Sequence, residues 1–75
     1  MAIGMVKPLT ILNQALNKKV LVSLRGGKEC VGTLDGYDQY MNLILKNAEE
    51  KKEGETSRKA ELILLRGDNI VFISP

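Results

Sequence analysis

The segment that most constrains the fold is Leu62-Ile63-Leu64-Leu65-Arg66-Gly67-Asp68-Asn69-Ile70-Val71-Phe72-Ile73. Two apolar runs of strand length are separated by four polar residues, and the second run is rich in β-branched and aromatic side chains. Gly67 offers the backbone freedom for a tight reversal, so the segment reads as a hairpin. Arg66 is costly to hide between two such strands and must stand at an exposed strand end. A second polar knot, Asp38-Gln39-Tyr40-Met41-Asn42, lies upstream.

The chain has 75 residues, the length of one domain. At that size a single core is marginal, and small folds lean on disulfides, metals or self-association. The one cysteine, Cys30, has no internal partner, and the lack of histidine excludes the usual Cys/His zinc sets. No cofactor or metal is expected. Self-association is the remaining support, with a well-packed small monomer as the alternative. The net charge of +2 is too mild to announce a nucleic-acid partner by itself. Its distribution says more: four of the nine acids, Glu49, Glu50, Glu53 and Glu55, share one segment with Lys51 and Lys52. The rest of the chain is correspondingly basic. No apolar run approaches membrane-spanning length, and no signal peptide or membrane partner is expected. An unpaired cysteine fits a reducing compartment, so a cytoplasmic location is expected.

Residues 1–7 have no period and are expected to form a tail; residues 8–75 read as a single domain. Pro8 suits the first position of a helix. Leu9, Leu12, Ala15 and Leu16 then recur at helical spacing on a helix of about three turns. Lys18 and Lys19 stand at its C-terminal end, where they favour the dipole. Val20, Val22 and Leu24 alternate with Leu21, Ser23 and Arg25 at strand period, and Gly26-Gly27 forms a hairpin turn. Residues 29–37 form a long strand in which Gly32 and Gly36 mark bends or close backbone approach. Residues 41–46 make a third strand and residues 47–58 a charged, solvated loop containing Gly54. Residues 60–65 and 70–74 complete five strands. The fold these elements favour is mainly β: an N-terminal α-helix followed by a strongly bent five-stranded antiparallel sheet, an open barrel. Its last two strands carry only Glu61 as an edge charge, and unprotected edges invite pairing. If strand 4 pairs with strand 5 of the next copy, the contact is head-to-tail and can close into a ring.

Two stretches resemble the signatures of the Sm/Lsm family. The first is Gly32-Thr33-Leu34-Asp35-Gly36-Tyr37-Asp38-Gln39-Tyr40-Met41-Asn42; the second is Leu64-Leu65-Arg66-Gly67-Asp68-Asn69-Ile70. The likeness runs from Pro8 to Pro75, with a variable loop where the family has one, and is nearest to the archaeal Sm-like proteins. It implies a homo-oligomeric ring, usually a heptamer, in which strand 4 pairs with the neighbour's strand 5. It also implies that the two polar knots meet at the inner rim and bind single-stranded, uridine-rich RNA. The protein would then act as a scaffold or chaperone in RNA processing or turnover, with RNA-processing proteins as possible partners. By motif position, Tyr40 and Arg66 would clasp a base, Asn42 would read its edge, and Asp68 would brace Asn42. Asp38 would hold the first loop in shape, and Gly67 would let the RNA approach. Tyr40 stands where histidine is frequent in the family.

The residue types suit that chemistry. Unpaired bases stack on aromatic or guanidinium planes for about 1–3 kcal/mol each. Asn42 carries an acceptor and a donor side by side, matching N3–H and O4 of uracil, while a flipped amide would accept cytosine. A carboxylate at Asp68 would fix its orientation. The plainer alternatives are a turn role for Asn42 and Asp38, a surface role for Tyr40, and mutual pairing of Arg66 with Asp68. Lys18, Lys19, Arg25 and Lys28 form a second basic surface or merely solubilise. An enzyme is not expected: histidine is missing, and no phosphate loop or paired-carboxylate spacing is present. A small-barrel module binding extended peptides is the rival reading, with only Tyr37, Tyr40 and Phe72 to line a groove.

Overall fold

The computed structural model describes residues 8–74; the expected tail over residues 1–7, and Pro75, lie outside them. The order is α1 (Pro8–Ala15), β1 (Lys19–Leu24), β2 (Lys28–Tyr37), β3 (Leu43–Lys52), β4 (Glu55–Leu65), a 3-10 turn (Gly67–Asn69) and β5 (Ile70–Ser74). All pairings are antiparallel, in the order β4-β3-β2-β1-β5. The mainly β fold with an N-terminal helix is therefore as expected. The last two strands are not a hairpin, however. They lie at opposite margins of the sheet, and the segment 66–69 carries the chain from one margin to the other.

The bend comes from β2. Its ladder with β3 slips between Val31 and Thr33 and again between Leu34 and Gly36. Such bulges sharpen twist and let one strand serve two layers. A Cβ at Gly32 would stand 3.1 Å from that of Ala48 and 3.2 Å from that of Leu45, so any side chain there would press on β3 where it crosses closely. Inside the curve, Val20, Val22 and Leu24 of β1 meet Cys30, Leu34, Leu43, Leu45, Ala48, Ile63 and Leu65. The alternation read in β1 is thus the buried face. Cys30 is wholly buried, and burial pushes its thiol up, with Glu50 adding to the effect.

The helix is shorter than expected, 8 residues, and ends before Lys18 and Lys19, which do not reach its last turn. Asn17 takes a left-handed φ of 66°, a residue type that tolerates it, and stops the helix. The Asn17 N–H then donates to the Leu34 carbonyl and the Leu34 N–H to that of Lys18, tying the helix end to β2. Leu12 and Ala15 are buried, but Leu9, expected on the same face, is 41% exposed. No described helix is long and apolar enough to cross a membrane.

The charged segment 47–58 is not a loop. β3 and β4 continue through it, turning at Glu53 and Gly54, both at positive φ as a two-residue hairpin turn requires. Cross-strand charges support the ribbon. Lys59 lies 3.7 Å from Glu49, and Arg58 lies 3.6 Å from Glu50. Each pair reaches solvent through its cation and contributes only about 0.2–1 kcal/mol, so the backbone ladder does most of the holding.

Candidate nucleic-acid interface

The first polar knot closes β2 onto β3, and Asp38 organises it. One Asp38 carboxylate oxygen accepts the N–H groups of Tyr40 and Asn42, at 2.9 and 3.0 Å. The other accepts from the Asn42 side-chain Nδ2 at 3.0 Å. Met41 takes φ 66° to complete the turn, and its N–H donates to the Asp38 carbonyl. An aspartate that accepts backbone N–H groups two and four residues on is a natural turn former. These bonds all favour the ionised acid. The Asn42 side-chain bond above all, then the backbone N–H groups, hold the Asp38 carboxyl below the ordinary aspartate value.

The second knot docks on the first. The Gly67 N–H donates to Asn42 Oδ1 at 2.8 Å, and Gly67 lies against the Tyr40 carbonyl oxygen, where a Cβ would collide. Gly67 does not have positive φ. Its lack of a side chain is required for close approach, not for the tight reversal expected from sequence. The Arg66 guanidinium lies 3.3 Å from Asp68, and both side chains are exposed.

The structure thus brings Asp38, Asn42 and Gly67 into one hydrogen-bonded unit and places Arg66, Asp68 and the exposed Tyr40 on the turns that flank it. One expected contact is corrected: Asp68 does not brace Asn42. Asp68 turns to Arg66, and Asp38, four residues before Asn42 in the same turn, supplies the brace. Sequence reasoning also missed the Gly67 N–H. Backbone donors leave no trace in side-chain pattern, although Gly67 following an exposed strand end was a usable hint.

Two apolar margins flank this unit. Leu62 and Leu64 of β4 are 63% and 68% exposed; Val71 and Phe72 of β5 are 60% and 54% exposed. Between α1 and β5 runs an apolar groove of about 270 Å³, lined in part by Ile11, Leu12, Ala15, Val71 and Phe72.

The LSM domain model matches residues 10–75. An Sm-like protein of Archaeoglobus fulgidus is 52% identical over 69 residues, covering 92% of this chain and 90% of its own. The solved Sm protein of Pyrococcus abyssii, in complex with a uridine heptamer, superposes with a TM-score of 0.90 at 41% identity, covering 93% and 99% of the two chains. A heptameric archaeal Sm protein superposes with a TM-score of 0.81 at 41% identity, covering 88% and 96%.

Proposed function

The chain belongs to the LSM family, and on that premise we propose that it forms a homo-heptameric ring that binds single-stranded, uridine-rich RNA. In this reading β4 of one protomer pairs with β5 of the next. Leu62 and Leu64 then cover the apolar groove beside α1. Burying an exposed leucine gives about 1.5–3 kcal/mol, so each repeat of this contact favours closure. Ring formation places one Asn42 and one Arg66 per protomer around a common rim. A single strand that fills several such sites gains through effective concentration what one shallow site lacks.

The observation that carries the reading is the Asn42 amide, held at both ends. With Oδ1 accepting from Gly67 and Nδ2 donating to Asp38, one N–H and one lone pair remain for a ligand. Uracil offers O4 and N3–H in the matching order. Cytosine requires the amide to flip, which turns the NH2 toward the Gly67 N–H and the oxygen toward a carboxylate. Two hydrogen bonds of about 0.5–1.5 kcal/mol each are lost, so uracil is favoured by about 1–3 kcal/mol. Tyr40 and Arg66 supply the planes on which that base stacks. The exposed Arg66–Asp68 pair is weak enough to leave the guanidinium face open to a base. Such a ring serves as a scaffold or chaperone in RNA processing or turnover.

The test is a titration of oligo-uridine and oligo-cytidine against the wild type, Asn42→Ala and Arg66→Ala. The wild type is expected to prefer uridine at least fivefold, and both variants to lose oligo-uridine binding while keeping the ring mass. Undiminished affinity in both variants would move the site elsewhere.

A further inference from the structure

Arg66 also lines a groove of about 610 Å³ that does not include Asn42 and has a different character. Its floor includes Leu24 and Leu65. Its walls carry four cations, Arg25, Lys28, Arg58 and Arg66, against two carboxylates, Glu50 and Asp68. That leaves two positive charges in one groove, as many as the net charge of the entire chain. The carboxylates are already spent: Glu50 lies 3.6 Å from Arg58, and Asp68 lies 3.3 Å from Arg66. Arg25 and Lys28 flank the β1–β2 turn and have no ion-pair partner among the described residues. The placement is fixed by the fold, since the Arg25 N–H donates to the Asn69 carbonyl and ties that turn to the segment bearing Arg66. Arg58 enters because β4 extends through a segment that reads from sequence as a loop.

From this placement we infer that Arg25 and Lys28, with Arg58, form a phosphate-binding track that carries the RNA backbone away from the uridine site, with Arg66 as the shared entry. The inference rests on the uridine reading, because Arg66 joins the two. The track's chemistry differs from that of the base site. It has no aromatic side chain, and its two unpaired cations sit at an exposed rim above an apolar floor. Cations in that setting attract phosphates without regard to base. The track therefore adds length-dependent, sequence-independent affinity to a base-selective site.

The experiment compares the wild type with the double variant Arg25→Gln/Lys28→Gln. The probes are a uridine heptamer and the same heptamer extended at either end by about six adenosines, each over a range of salt. In the wild type the extended probe is expected to bind several-fold tighter at low salt and to show the steeper salt dependence. Neutralising two phosphates on a single strand adds about 1.4 to the slope of log K against log salt for each protomer engaged. The double variant is expected to bind the bare heptamer within about twofold of the wild type and to lose the gain from extension. A variant that keeps the wild-type gain and slope would overturn the track, as would a wild type that gains nothing from extension. A wild type that fails to bind the heptamer at all would overturn the uridine reading, and the track with it.

Discussion

Asp38 accepts three hydrogen bonds, and under the proposed function the one from the Asn42 amide sets base choice. Asp38→Asn separates them. The amide oxygen can keep the N–H groups of Tyr40 and Asn42, which preserves the turn. Its NH2 would then face the NH2 of Asn42, donor against donor, and the Asn42 amide would be free to flip. Paired titrations are expected to show the preference for uridine over cytidine falling toward unity in this variant, with the far-ultraviolet spectrum unchanged. The same acid sets a pH window. Its folded value is depressed, so its contribution is complete above the ordinary aspartate value of about 3.9 and is lost as pH falls through the lower, folded value. Oligo-uridine affinity at constant salt is expected to stay flat from neutral pH down to about pH 4. A loss centred between pH 5 and 7 would implicate a different group. At this scale the residue types were legible in the sequence, but their pairing was not. Two acids, Asp38 and Asp68, flank the site, and sequence offers no distance by which to choose between them. Arg66, two residues from Asp68, claimed the nearer carboxylate.

The strands that bound the site were legible where one face is buried. The alternation of Val20, Val22 and Leu24 and the glycines of β2 both mapped directly onto burial and bulges. The β3–β4 ribbon was not, because its outer half buries almost nothing and therefore has no hydrophobic period; Gly54 alone marked its turn. This ribbon also changes how β4 presents its free edge. Residues 55–59 include Glu55, Arg58 and Lys59, and the ladder slips between Glu50 and Lys51 opposite them. Charges and bulges of this kind discourage edge pairing. Residues 62–65 lack charge and present Leu62 and Leu64 outward, so the part of β4 open to a neighbour matches the five residues of β5 in scale. Leu62→Asp/Leu64→Asp is expected to leave the protomer folded, since both side chains are exposed, yet to dissociate the assembly. Light scattering and circular dichroism together check this. An intact assembly in that variant would place the subunit contact on another surface.

For the whole molecule, the weakness of a small core and the binding of a polymer have one solution. The sheet has two bare margins at opposite sides, which a lone chain leaves exposed and a ring covers with no unpaired end. In the proposed ring, closure would also turn one weak base site into a circle of them, bordered by the cationic grooves inferred above. The expectation of self-association, with a well-packed monomer as its alternative, could be read from 75 residues with one cysteine and no histidine. The subunit number could not, because it depends on the angle between successive sheets, which no residue pattern encodes. Sedimentation of the purified chain at micromolar concentration addresses this most directly. A single species near seven times the protomer mass of 8.3 kDa is expected. A species at the mass of one chain would contradict the ring, and with it the repeated uridine site.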